Sequence, residues 1–281
     1  MKICTIILLN YNESIENLIN LKLYLRDSNI EKFNFIVADD GSTDKNVEKL
    51  IEFCLKNNIL FVTGKNIGTV GNIIRAIEFV ETDKLILQGG GDKILLDPTV
   101  KILNTVAKKP NYIVFTKLKI IDTTTSDSQT QKYLIPKCSG IKKVDMLVMP
   151  WFNLGSSGGA IYPTEKYKNI ILSLPKERLM MEDWLCNFFL GKSGLRFVQT
   201  NISNYEYVRY QTNNGITVNK PLLRDEIYKT QEVINKFMYK ESKWLKSKKI
   251  INFVIKILYF LAEKEYISQI HNKFLLRMRV T

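Results

Sequence analysis

Four times within the first 93 residues a short apolar, β-branched run breaks into a polar or glycine-rich cluster. The runs are residues 3–9, 33–38, 59–62 and 84–87. Helical patterns follow the first three, with Ile15, Leu18, Ile19 and Leu25 on one face, then Val47, Leu50, Ile51 and Leu55, then Ile73, Ile74, Ile77 and Val80. Continuous apolar runs of this length fit strands buried on both faces. Strand and helix in alternation require a mostly parallel sheet with helices on both sides. Such sheets take ligands beyond the carboxyl ends of their strands. The polar clusters at residues 10–12, 39–42, 66–72 and 89–93 fall at those ends, so four loops are expected to converge on one crevice.

The middle of the chain is less regular. A strand is expected over 112–121, a mobile Thr- and Ser-rich loop over 122–131, and a short strand after Gly155-Ser156-Ser157-Gly158-Gly159-Ala160. A helix starts near Met181-Glu182-Asp183-Trp184, a strand covers 197–200 and a loop covers 201–219. From residue 222 the pattern is helical and rich in lysine.

Several chemistries are excluded. His271 is the one histidine, so a Ser-His-Asp triad, a Cys-His pair and a poly-His metal site are ruled out. Cys4, Cys54, Cys138 and Cys186 lie far apart, which fits a reducing compartment better than a disulfide scaffold or zinc ribbon. No G-x-G-x-x-G follows the first strand and no P-loop string occurs. The apolar run at residues 3–9 is shorter than expected of a signal peptide, and no uncharged apolar stretch reaches the ~18 residues of a membrane span. What remains is a crevice rich in acids and amides. Asp39 and Asp40, at a strand end, can accept hydrogen bonds from a ribose or a base. Gly41 permits the sharp turn there. Equally, Ser42 or Thr43 is a good N-cap for the helix that follows.

Three strings in this order and spacing carry a family resemblance. They are Thr5-Ile6-Ile7-Leu8-Leu9-Asn10-Tyr11-Asn12, Val37-Ala38-Asp39-Asp40-Gly41-Ser42-Thr43-Asp44 and Asn66-Ile67-Gly68-Thr69-Val70-Gly71-Asn72. They resemble the opening of family 2 glycosyltransferases with the GT-A fold, over roughly residues 3–219. The resemblance implies an α/β, GT-A-type nucleotide-sugar-binding domain with a mostly parallel mixed sheet over 1–219. A basic helical C-terminal extension would follow over 220–281. The implied reaction moves a sugar, with inversion, from a nucleotide donor, a UDP-sugar foremost, to a hydroxyl of a saccharide or lipid-linked acceptor. By the match, Asp39 holds the uracil or ribose side with Asp40 also in the donor site, Tyr11 and Glu13 lie beside the base, and Asn72 and Arg75 border the nucleotide and diphosphate.

The chain departs from the family at its metal motif. Two carboxylates are usual there, and this sequence reads Gln88-Gly89-Gly90-Gly91-Asp92-Lys93. Asp92 with the donor diphosphate can hold Mg²⁺ or Mn²⁺, which keep several waters; this reading is favoured. The alternative is that Lys93 and Arg209 carry the charge unaided. Gly91 and its neighbours leave room for a sugar diphosphate. Since the one histidine is remote, the base for the acceptor hydroxyl must be a carboxylate. By resemblance it is Asp183, with Glu182 orienting the acceptor; acids also suit a first helical turn through the macrodipole alone. Trp151, Trp184, Gly158 and Gly159 are the acceptor-side candidates, and either tryptophan suits a core as well.

Residues 220–281 hold fourteen basic and six acidic side chains, so they carry eight of the chain's thirteen net positive charges. Residues 243–262 read as a basic, aromatic, amphipathic helix suited to an anionic membrane surface. Packing on the domain or on a second subunit fits equally. With no helix-turn-helix, zinc-finger or aromatic-strand motif, no nucleic-acid partner is expected. The expected place is the cytoplasm, peripheral to the inner face of the membrane. Two rivals to transfer remain: an inactive nucleotide-sugar-binding protein, and a membrane-surface adaptor using the tail.

Overall fold

Strand β1 (Cys4–Asn10) is apolar at nearly every position because both of its faces are covered. Ile6 and Leu8 join one buried cluster and Ile7 the other, and none of the three is exposed. Each such side chain contributes roughly 1.5–3 kcal/mol by leaving water. The structure is a computed structural model that describes residues 2–122, 128–131, 157–174, 182–209 and 220–241. Trp151 and the basic stretch 243–262 lie outside the described residues.

β1 pairs in parallel with β2 (Phe33–Asp39) and β4 (Lys84–Gln88), and β2 with β3 (Leu60–Thr63). The crossovers are α1 (Ser14–Tyr24), α2 (Val47–Lys56) and α3 (Gly68–Ile77). These are the elements expected from the first half of the sequence, with boundaries shifted by a few residues. β5 (Lys93–Ile94) and α4 (Leu96–Asn104) follow. The remaining strands are β6 (Tyr112–Asp122), β7 (Ser128–Gln131), β8 (Ile161–Pro163) and β9 (Arg196–Arg209). The sheet order is β3-β2-β1-β4-β8-β6-β9-β5, with β7 on β6. β8 runs antiparallel to β4 and β6, while β9 runs parallel to β6. The sheet is therefore mixed and mostly parallel, with helices on both faces.

α5 (Thr164–Ser173), α6 (Glu182–Lys192) and α7 (Lys220–Glu241) complete the fold. Ile234 of α7 is fully buried in the same cluster as Ile7, Val70 and Phe188. The first third of the basic extension is thus a helix that reaches the main core through Ile234.

Two expectations are corrected. β9 does not stop at residue 200 but runs to Arg209. Asn, Ser and Glu between 201 and 206 hid it, yet their backbone is paired with β6 and β5. The shift in register between Phe115 and Leu118 lets one long strand follow β6 past a bulge. Within the stretch expected to be a mobile loop, Ser128–Gln131 is a strand pairing antiparallel with Leu118–Ile121. Tertiary pairing supplies hydrogen bonds that the polar composition does not advertise.

Candidate active site

β1 and β2 end side by side, with Asn10 opposite Asp39. Asn10 Nδ2 donates to Asp39 Oδ1 at 2.7 Å and lies 3.0 Å from the Ser42 hydroxyl. Asp39 Oδ2 accepts the Gly41 and Ser42 N–H groups, each at 3.1 Å, and the Thr63 hydroxyl at 2.7 Å. Burial pushes this carboxyl up, but the hydrogen bonds from Ser42, Thr63 and Asn10 outweigh it and hold it below its ordinary value. Gly41 has φ of 76°, and a Cβ there would meet the Gly64 carbonyl oxygen at 2.8 Å. Only glycine makes this turn. Asn12, also left-handed at φ 59°, accepts the Thr43 N–H at 2.9 Å and gives its own N–H to Ser42. Ser42 and Thr43 therefore serve the knot and do not cap α2, which starts at Val47 after Asn46.

Asp40 faces the other way. Its two oxygens accept the N–H groups of Ile67 and Gly68 at 2.8 and 2.9 Å, at the positive end of α3. Asn72 donates to the Ala38 carbonyl at 2.7 Å. Arg75 donates to the carbonyls of Asp39 and Lys65, each at 2.9 Å. Among the residues matched to the donor site, Asp40, Asn72 and Arg75 are thus struts that set the shape of the loops at 39–42 and 64–68. Tyr11, half exposed at the end of β1, is open to a ligand.

The loop after β4 holds the next group. Glu13, just before α1, lies over Gly90; a Cβ on Gly90 would overlap its carboxylate. Burial, then repulsion from Glu16, pushes Glu13 up to about 7. The resemblance put Glu13 beside the base, whereas the structure turns it to the three-glycine loop. Gly91, at φ 76°, leads into Asp92. Asp92 is 6% exposed and turned inward. Its oxygens accept the Tyr205 hydroxyl at 2.6 Å and the Val208 N–H at 2.9 Å. Burial pushes it up to about 7 despite these two bonds. Lys93 sits opposite Glu206 in the β5–β9 pair, and Glu206 forms an ion pair with Lys119 at 2.9 Å. The cation expected at the diphosphate thus shares a sheet face with a carboxylate. Arg209 ends β9 in the backbone, and its side chain lies outside the described residues.

Glu182 and Asp183 open α6. The Ser157 hydroxyl donates to Glu182 at 2.8 Å, and the next residue, Gly158, bridges to Leu87 of β4. This brings the acidic pair to the carboxyl end of β4, where the glycine loop begins. Glu182 is buried; burial and the neighbouring Asp183 charge push its pKa well up. Asp183 is half-buried and accepts the Trp184 N–H at 2.7 Å. Two acceptor-side expectations are corrected. Trp184 is 4% exposed and packs in the core with Phe188 and Leu190. Gly158 and Gly159 lie against Tyr205 and Asn204, so their missing side chains admit protein and not ligand.

Sequence reasoning missed Tyr205 and Asn204. The Tyr205 hydroxyl accepts the Gly89 N–H at 3.1 Å while donating to Asp92, and Asn204 donates to the Gly159 carbonyl at 3.1 Å. No motif surrounds them; only the pairing of β9 brings them beneath the glycine loop.

The family resemblance implies a divalent ion at Asp92, and the residues present do not fit one there. Both Asp92 oxygens are engaged by the protein and the side chain is buried. Among the described residues no group of three or more His, Cys, Asp or Glu could hold a metal. No helix among them is long and apolar enough to cross a membrane.

A crevice at the carboxyl ends of β1, β2 and β4, with an acid-amide knot on one side and a glycine loop on the other, defines the class of α/β proteins that bind ligands at such an edge. The particular family follows from comparison: the chain belongs to glycosyl transferase family 2, whose profile matches residues 5–164. The GT-A fold is shared with solved structures of S. aureus TarS. The TarS 1–349 structure in complex with UDP aligns with a TM-score of 0.58 at 16% identity, over 83% of this chain and 64% of that one. The complex of TarS 1–349 with UDP-GlcNAc aligns with a TM-score of 0.55 at 16% identity, over 89% and 77% of the two chains. The chain therefore spans less than two thirds of the first of these. No curated protein sequence matches it.

Proposed function

We propose that this protein transfers a sugar, with inversion, from a nucleotide-sugar donor to a hydroxyl of a saccharide or lipid-linked acceptor. The observation that carries the reading is the Asn10–Asp39–Ser42 knot, built where two parallel strands end and followed along the chain from Asn10 by the half-exposed Tyr11. Family membership and the fold shared with UDP-bound and UDP-GlcNAc-bound TarS support a UDP-sugar as donor. The knot presents rigid hydrogen-bonding groups to a base and ribose. The glycine loop offers backbone without side chains to the diphosphate and sugar. Asp183 takes the proton of the attacking acceptor hydroxyl. Glu182 holds Ser157 and leaves its neighbour to act as the base.

The basic residues of the tail suit an anionic membrane surface on the cytoplasmic side, where a lipid-linked acceptor for surface polysaccharide would lie. The test of function is calorimetric titration with UDP, CDP, GDP and their sugars, followed by transfer or donor hydrolysis. UDP-sugar binding and turnover that falls about 10²-fold or more in Asp183→Asn are expected. Nucleotide-sugar binding without turnover under any condition would leave a binding protein instead. Absence of all nucleotide binding would refute the reading.

A further inference from the structure

The Tyr205 phenol touches two segments that are distant from it and from each other in sequence. Its hydroxyl donates to Asp92 at 2.6 Å and accepts from the Gly89 N–H at 3.1 Å, so it is tied to both ends of the glycine loop. Its ring lies against Gly158 and Gly159, in the turn that leads from Ser157, the partner of Glu182. Its own strand runs on through Val208, whose N–H donates to the second Asp92 oxygen at 2.9 Å, and ends at Arg209. Both residues are buried, Tyr205 at 2% and Asp92 at 6% exposure.

We propose that Asp92 and Tyr205 form a latch that holds the glycine loop, the turn at residues 157–159 and the end of β9 in one arrangement, and that Asp92 is not a ligand for a divalent ion. The proposal rests on the nucleotide-sugar reading of the crevice and deepens it. To bind Mg²⁺, Asp92 must present an oxygen at about 2.0–2.1 Å to an ion that keeps several waters. Turning outward would strand a phenol and a backbone N–H in a buried place, which is costly. Glycine at 89, 90 and 91 supplies no carboxylate, and Asp92 with Glu13, the acid over Gly90, does not make up a group of three metal-ligating side chains among the described residues. Tyr205 is thus a positioning residue. It fixes the loop that would face the donor diphosphate relative to the strand that delivers Arg209.

The experiment uses the full chain, with Mn²⁺ followed by electron paramagnetic resonance and UDP by calorimetry. Wild type, Asp92→Asn, Tyr205→Phe and the double variant are compared at a temperature where circular dichroism shows each to be folded. The latch predicts that Asp92→Asn alters Mn²⁺ affinity by less than about twofold, and that UDP binds equally in excess chelator. It also predicts that each single variant weakens UDP binding by about tenfold, with the double variant no worse than either, because coupled residues are not additive. Loss of Mn²⁺ affinity by about tenfold or more in Asp92→Asn, with Tyr205→Phe unaffected, would overturn the proposal. Unchanged UDP affinity in both folded single variants would overturn the positioning role. If UDP binds to none of the four proteins, the nucleotide-sugar reading fails. The Mn²⁺ titration and the additivity of melting temperatures then still decide the latch.

Discussion

Asp39 accepts four hydrogen bonds from Asn10, Gly41, Ser42 and Thr63 and is buried, so its carboxylate shapes the crevice from beneath. Asp39→Ala should therefore lower stability by about 2–3 kcal/mol, since buried donors lose a charged acceptor, as well as weakening UDP binding. Urea denaturation beside calorimetry checks this; a variant with lost affinity and unchanged stability would make Asp39 a pure ligand contact. Titration also belongs to single residues. Glu13 and Asp92 are pushed up to about 7 and Glu182 to about 8, in each case chiefly by burial. An acid whose folded pKa is raised binds its proton more tightly in the native state. Its favourable contribution is complete below its unfolded pKa, near 4, and is lost as pH rises through the folded value. The melting temperature should therefore fall between about pH 5 and 8, and Glu182→Gln should flatten part of that fall. Asp39 has the opposite sign, because its lowered pKa costs stability only on acidification. A melting temperature that rises across pH 5–8, or a Glu182→Gln profile parallel to wild type, would contradict the assignment.

At the scale of elements, α3 shows how one helix end organises the site. Asp40 accepts the N–H groups of Ile67 and Gly68, and Arg75, one residue short of the buried Ala76, reaches back to the carbonyls of Asp39 and Lys65. The helix is thereby fixed to the two loops that flank the knot. Asp40→Ala should cost about 1–2 kcal/mol, the scale of a lost helix cap. Arg75→Lys keeps the charge but cannot span two carbonyls with a planar fork, so nucleotide affinity should fall although net charge is unchanged. Hydrogen exchange in residues 64–72 is the readout: faster exchange in both variants is expected, and unchanged protection would show that α3 is held by its apolar face alone. β9 makes the complementary point. Residues 3–9 announce a strand through a composition that is apolar but for Thr5, whereas Asn201 to Glu206 announce nothing and become a strand because β6 and β5 offer partners on both sides. Tyr205 and its bond to Asp92 depend on that pairing.

At the scale of the whole molecule, the basic charge is concentrated in the last quarter of the chain, which holds eight of the thirteen net positive charges. Within α7 some of it is offset locally, as Lys229 pairs with Glu226 and Lys236 with Glu232. The membrane contact proposed for this protein rests on the sequence of residues 243–262. The full protein should sediment with vesicles containing anionic lipid and be released by high salt, since screening shortens the reach of charge to about 3 Å at 1 M. Equal sedimentation with neutral vesicles would remove the electrostatic part. The sequence by itself determined the α/β alternation, the parallel core strands, the convergence of polar loops at one edge and the family, because these follow from local periodicity and from short strings such as Asp39-Asp40-Gly41-Ser42. It did not determine which way those side chains point. Tertiary structure alone turned Asp92 inward to Tyr205, set Glu13 over Gly90, spent Asp40 and Arg75 on backbone groups and buried Trp184. The reason is physical: a buried polar group must find a partner, and the nearest partner is fixed by how distant strands pair, which no local pattern records.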